Sequence, residues 1–145
     1  MTVALAALPL VLDTNVVLDW LVFHDPSSRP LEAAIRSGQS RWYVTAAIRL
    51  EVERVLTYKQ FANFTVDRVS VFTAWNALAE TIDPVPPPLS HPLRCTDPDD
   101  QKFIDLALQL GSGALLSRDR AVLKLARRAR TLGLTIATPE AWAGP

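Results

Sequence analysis

Leu8-Pro9-Leu10-Val11-Leu12-Asp13-Thr14-Asn15-Val16-Val17-Leu18 is the stretch that decides the fold. Its apolar run stops at Asp13-Thr14-Asn15 and resumes at once with helical spacing through Val16, Val17, Trp20 and Leu21. A strand without polar alternation is covered on both sides, as in a parallel sheet, and this one feeds directly into a helix. Asp13 therefore stands at the carboxyl end of a strand, the edge at which open α/β sheets bind ligands. Two readings of Asp13 are open here: a cap on the following helix, or part of a site.

The first helix is predicted over Asn15 to about Phe23, ending at His24-Asp25-Pro26, where the residue before proline disfavours helical backbone. A second helix follows, with Ser27 or Ser28 as its cap, Pro30 in its first turn and Gly38 at its end. Trp42-Tyr43-Val44-Thr45 is aromatic and β-branched, hence a second strand. From Ala46 to Thr57 the apolar residues Ile48, Val52, Val55 and Leu56 share one helical face. Glu51 flanks that face. Glu53 lies almost opposite, where it pairs with Arg49 one turn earlier.

Thr65 to Ala79 reads as another helix, with Val66, Val69, Phe72 and Ala77 as its apolar positions. The stretch 83–92, with Pro84, Pro86, Pro87, Pro88 and Pro92, is a stiff, extended surface connection. His91 within it and His24 read as solvated loop histidines. Thr96-Asp97-Pro98-Asp99-Asp100 opens the next helix, with Asp97 at the cap, Pro98 at the first position and acids favoured by the helix dipole. Asp100 shares a stripe with Phe103, Ile104 and Ala107, so its carboxylate faces inward, while Asp105 points away. An inward carboxylate needs a partner, because a buried unpaired charge costs several kcal/mol.

Beyond Gly111 and Gly113, Ala114-Leu115-Leu116-Ser117 is a buried strand. Arg118-Asp119-Arg120 then leads into a helix built on Val122, Ala126 and Ala129, repeating the opening design of apolar strand, aspartate and helix. Gly133 to Ala137 is a last strand, and Pro139 to Trp142 a closing helical turn. The order predicts an α/β fold: one three-layer α/β/α sandwich, Rossmann- or flavodoxin-like, around a central parallel sheet over residues 1–145.

The chain's 145 residues suit one core, with no second domain required. Fifteen basic and fifteen acidic residues cancel, so any nucleic-acid contact must come from local clustering. Cys95 is the single cysteine, which excludes an internal disulfide and fits a reducing cytoplasm. The apolar start, Met1 to Leu12, has no Lys or Arg and runs straight into Asp13, unlike a signal peptide, and is too short to span a membrane.

In this arrangement Asp13 and Asp119 end strands, and Glu51 and Asp100 belong to early turns of helices at the same edge. Four carboxylates converge. Like charges so close are neutralised by a cation or raise one another's pKa, and no Lys or Arg adjoins Asp13, Glu51 or Asp100 in the sequence. Oxygen-only ligands select a hard divalent ion, Mg²⁺ or Mn²⁺.

These residues resemble the PIN-domain nucleases, close to the toxin components of toxin–antitoxin systems. Val-Leu-Asp13-Thr-Asn15-Val-Val-Leu matches the family's opening motif, Glu51-Val-Glu-Arg-Val-Leu its Glu-x-x-x-Val-Leu helix, and Asp97-Pro-Asp-Asp100-Gln-Lys-Phe its central aspartate motif. Leu-Leu-Ser117-Arg-Asp119 matches the fourth, and Ile136-Ala-Thr-Pro-Glu-Ala-Trp142 the final strand and Pro-Glu helix. The proline-rich stretch before Asp97 is longer than in a minimal toxin. The resemblance implies a PIN-like fold with Asp13, Glu51, Asp100 and Asp119 as a catalytic, metal-holding quartet, and Asn15 and Ser117 as supporting polar groups. It also implies metal-assisted hydrolysis of RNA phosphodiesters in the cytoplasm, with an RNA substrate, an antitoxin protein and a homodimer as partners and no membrane.

Arg118, Arg120, Lys124, Arg127 and Arg128 form a basic stripe beginning beside Asp119. It reads equally as an RNA contact or as the solvated face of an amphipathic helix. Two other classes remain. A phosphoacceptor receiver domain needs paired acids after its first strand and a strand-end lysine, and this chain has neither. A non-catalytic PIN-like module that binds a protein or RNA would be expected to have lost some of the four acids.

Overall fold

A computed structural model describes residues 7–58, 67–85, 93–111, 113–142 and 144–145. The expected N-terminal apolar run before residue 7, the start of the helix at Thr65-Val66, and most of the proline-rich stretch with His91 lie outside the described residues. The elements in chain order are β1 (Leu8–Leu12), α1 (Thr14–Leu21), α2 (Arg29–Ser37), β2 (Ser40–Val44), α3 (Ala46–Val55), α4 (Arg68–Leu78) and β3 (Ala79–Thr81). They continue with α5 (Gln101–Leu110), β4 (Gly113–Leu116), α6 (Arg120–Leu123), α7 (Ala126–Arg130) and β5 (Leu134–Ala137).

The sheet is parallel throughout, in the order β3-β2-β1-β4-β5. Leu10 pairs with Trp42 on one side and Ala114 on the other, which puts β1 at the centre. Successive residues of a strand face opposite ways, yet Leu10, Val11 and Leu12 are all buried. Both faces of the sheet are therefore covered, the α/β sandwich expected of an unbroken apolar run. The chain winds from β1 outward through β2 to β3, then crosses back to β4 and out to β5. The reversal lies between β1 and β4, and at such a switch point the carboxyl ends of the strands open a crevice.

Local chemistry sets most element ends. Thr45 accepts the Ile48 backbone N–H with its hydroxyl and starts α3. Gly38, at φ 82°, closes α2 in the left-handed region that a side chain disfavours. Gly113 is needed for a different reason, because a Cβ there would overlap the Pro9 carbonyl of the neighbouring strand. Arg49 pairs with Glu53 at 3.2 Å, as the helical spacing predicts.

Several expectations are corrected. Ser28 holds the cap position before α2 but makes no side-chain cap bond; Asp25 instead accepts the Ser27 N–H and opens a 3-10 turn at Pro26–Ser28 that runs into the helix. A fifth strand, β3, follows α4 without a loop. Its Glu80 and Thr81 are exposed and it lies at the sheet edge, so it lacks the apolar signature of the inner strands. On α4 the buried residues are Val71 and Trp75, whereas Val69 is 78% exposed and Ala77 is exposed. The helix is turned by Trp75, whose ring lies 4.7 Å edge-on from that of Trp42, itself 5.2 Å from Trp20. The helix expected after Asp119 is two short ones. Leu125 N–H bonds back three residues to Val122, a tightened turn that lets Leu123 and Leu125 both pack on the core. Residues Pro139 to Trp142 form the single closing turn expected, with the Trp142 N–H bonded four residues back to the Thr138 carbonyl at 3.1 Å. Among the described residues no helix is long and apolar enough to cross a membrane.

Candidate metal centre at the carboxyl edge of the sheet

Asp13 follows β1, and its own N–H continues the ladder to Leu116 O at 3.1 Å. Of the two readings of Asp13, the cap is observed. One carboxylate oxygen caps α1 by accepting Val16 N–H at 3.0 Å, and the other accepts the Ser117 hydroxyl. The group is only 3% exposed. Burial pushes its pKa up, opposed by the hydrogen bonds from Ser117 and from the Val16 and Arg118 backbone, with the Asp119 charge adding to the rise.

Ser117, fully buried at the end of β4, works as a hub. Its oxygen donates to Asp13 and accepts the Asp119 N–H at 3.0 Å, so one hydroxyl fixes the first and fourth acids relative to each other. Asp119 caps α6 through Ala121 N–H at 2.8 Å.

Asp100 closes the 3-10 turn Pro98–Asp100, which leads into α5. The inward orientation expected from its stripe is observed: its Oδ2 is buried with no hydrogen-bond partner. Burial, then the charge of Asp119 and hydrogen bonding with it, then the charges of Asp97 and Asp13, push its pKa up to about 7. A carboxyl so placed holds its proton near neutrality or needs a cation to lose it.

Asp97, Asp100 and Asp119 each present one carboxylate oxygen, and these oxygens all lie within 4.8 Å of one another. Asp97 has the capping role read from the sequence, since it accepts Asp99 N–H at 3.0 Å, but its position beside Asp100 and Asp119 goes beyond that role. The signal was present as three aspartates in Asp97-Pro98-Asp99-Asp100, each already explained by helix capping.

Glu51 reaches the same edge but outside that group. Thr14, next to Asp13, donates its hydroxyl to one Glu51 oxygen, and Lys102 Nζ donates to the other at 2.6 Å. No Lys or Arg adjoins Glu51 in the sequence, but the fold brings one to it. Lys102 is separated from Glu51 by 51 positions and meets it only because the first turn of α5 packs beside the middle of α3.

Asn15 is exposed on the first turn of α1. Asp105, off the site as expected, accepts Gln101 Nε2 at 2.9 Å. Cys95 lies near the acids, and burial together with the charges of Asp100, Asp119 and Asp97 outweighs a backbone hydrogen bond at Asp97 to push its thiol pKa up. It is no thiolate at neutral pH.

The basic stripe divides. Arg118 is spent within the fold: Nε meets Asp19 at 2.7 Å, one terminal nitrogen meets Glu140 at 2.6 Å, and the other donates to Ser27 at 2.8 Å. It ties the Ser117–Asp119 segment to α1 and to the C-terminal turn. Arg120, Lys124, Arg127 and Arg128 are exposed on α6, α7 and the turn between them.

A family model for the PIN domain matches residues 9–121, a span from β1 into α6 that contains every acid of the crevice. No curated protein matches the chain at a significant level.

Proposed function

This chain belongs to the PIN-domain family, and on that premise we propose that it is a metal-dependent endoribonuclease whose centre is built from Asp13, Asp97, Asp100 and Asp119, with Glu51 at the rim. One observation carries the metal: a buried Asp100 oxygen without a partner, among carboxylates within 4.8 Å. Such a cluster fits a hard divalent ion, because all its donors are oxygens and its uncompensated charge is negative. Mg²⁺ or Mn²⁺ held by Asp97, Asp100 and Asp119 would supply Lewis-acid stabilisation of phosphodiester charge and a more acidic water.

The chain's own groups contribute orientation and charge. Asp13 is immobilised by the Val16 N–H and the Ser117 hydroxyl, so its carboxyl is held in one orientation beside the cluster. Ser117 also holds the Asp119 backbone, and Asn15, exposed on the first turn of α1, would act as a supporting polar group. Arg120, Lys124, Arg127 and Arg128 offer an exposed track for a phosphate backbone leading away from Asp119. The sequence motifs extend the proposal to the toxin component of a toxin–antitoxin pair: one nuclease domain over the whole chain, acting in the cytoplasm, with an antitoxin protein as partner and a homodimer as assembly.

The test is cleavage of single-stranded RNA by purified protein with Mg²⁺ or Mn²⁺ against EDTA, for the wild type, Asp13→Asn and Asp100→Asn. Cleavage that needs metal and is lost in both variants supports the proposal. RNA or protein binding without metal-dependent cleavage would favour the non-catalytic module.

A further inference from the structure

Lys102 stands where helix electrostatics disfavour a cation. It is the second residue of α5, at the end of the helix whose partial charge is positive and which favours acids instead. Its ammonium is nevertheless held in place by three contacts. It donates to Glu51 Oε1 at 2.6 Å and to the Asp99 carbonyl at 2.6 Å, and lies 5.0 Å from the centre of the Phe103 ring. The Asp99 carbonyl belongs to the same turn as Asp100, so the ammonium is anchored to the backbone that carries the central acid. Its side chain remains 28% exposed. An ammonium has three donors, and with two committed to Glu51 and Asp99 one is left on the open side.

A crevice lined by Asp13, Asp97, Asp100, Asp119 and Glu51 repels a polyanion, so a strand that enters it needs a cation at the mouth. Arg118, also beside the acids, has all its guanidinium nitrogens committed to Asp19, Glu140 and Ser27, and Arg120 is exposed at the start of α6. We propose that Lys102, positioned by Glu51 and the Asp99 carbonyl, is a substrate-binding residue that grips a phosphate of a nucleic-acid strand next to the acidic cluster. Glu51 then acts chiefly as the carboxylate that holds this lysine. The inference rests on the nuclease reading for its substrate class, but its test is a binding measurement.

Binding of the full chain to a fluorescent single-stranded RNA oligonucleotide is followed by anisotropy with Ca²⁺ over a range of salt, and cleavage is followed separately with Mn²⁺. Lys102→Gln should bind more weakly at low salt and flatten the plot of log affinity against log salt by about 0.7, one phosphate contact for a single strand. Between about 50 and 200 mM salt the wild-type advantage should then shrink by about 2.6-fold. Lys102→Arg should restore the slope, and Glu51→Gln, which keeps the cation, should leave it unchanged. The double variant Lys102→Gln with Glu51→Gln separates the alternatives. The proposal requires it to keep the shallower slope, whereas a return to the wild-type slope means that Lys102 only neutralises Glu51 and overturns the proposal. A wild type that binds but does not cleave would remove the nuclease reading and leave the lysine's role standing. A wild type that cleaves, with a slope indifferent to Lys102→Gln, would do the reverse, and one that neither binds nor cleaves removes both.

Discussion

Ser117 donates its hydroxyl to the carboxylate of Asp13 across 104 positions of sequence, joining the carboxyl ends of the adjacent strands β1 and β4, between which the strand order reverses. The same oxygen receives the Asp119 N–H. A single fully buried hydroxyl thereby sets the spacing of two acids of the crevice, and it leaves Asp13 with no capacity to turn.

Ser117→Ala should therefore lower stability by about 1–3 kcal/mol, the range for stranding buried polar partners. Removing the hydrogen bond that lowers the Asp13 pKa should push that already raised pKa further up. Urea unfolding measures the first effect, and carboxylate titration by NMR the second. A variant as stable as the wild type, with Asp13 unchanged, would show that Ser117 does not organise the edge.

The metal-free protein should lose stability as pH rises through neutrality. The folded pKa of Asp100, about 7, lies above its ordinary value of 3.8, so the folded state binds the proton more tightly. The stability gained from that proton is complete below about 3.8 and is lost as pH rises through about 7. Asp13, also raised, acts in the same direction. In EDTA, Asp100→Asn should melt above the wild type at pH 8, and the gap should narrow towards pH 5. Parallel melting curves for the two proteins across that interval would contradict the assignment.

Divalent metal should reverse that deficit. An ion bound only by the folded state at about 100 times its dissociation constant adds roughly 2.7 kcal/mol, seen as a rise in melting temperature with Mg²⁺ or Mn²⁺. Asp100→Asn, which removes a carboxylate that makes no cap hydrogen bond, should gain little from added metal. Asp119→Asn is a mixed case. It also weakens the cap on α6, a loss of about 0.5–2 kcal/mol that sets in whether or not metal is present. An undiminished metal response in Asp100→Asn would place the ion elsewhere.

Arg118 and the exposed cations beyond it should separate cleanly. Arg118→Ala breaks three contacts of a partly exposed side chain and should cost about 1–2 kcal/mol of stability. Arg120→Ala with Lys124→Ala should leave stability within about 0.5 kcal/mol while flattening the salt dependence of RNA binding by about 1.4. An unchanged slope would make this a solvated helix face and nothing more.

How much of this was legible beforehand depends on the range of each signal. Strand β1, the caps at Asp13 and Asp97 and the inward stripe of Asp100 rest on neighbours within one or two turns of chain, and alternation, capping chemistry and helical spacing report such contacts directly. That the acids of the opening, central and fourth motifs stand at one edge follows from the parallel order of the strands, which the alternation of apolar strands and helices implies. Strand β3 was not legible, since three residues at a sheet edge carry no apolar pattern of their own and follow a helix without a turn. The buried face of α4 differs from the one its local periodicity predicts because a tryptophan stack decides how that helix is turned.

The sequence by itself determined that an apolar strand ends at Asp13, that another ends beside Asp119, and that Glu51 and Asp100 belong to early turns of helices that start at the same edge. Only the tertiary structure decided which groups meet there: Ser117 with Asp13, Asp97 with Asp100 and Asp119, Lys102 with Glu51, and Arg118 with Asp19 and Glu140. The reason is physical. A periodic pattern specifies the direction in which a side chain leaves its own element, but a hydrogen bond forms over about 3 Å, and that distance is fixed by how separate elements pack in three dimensions.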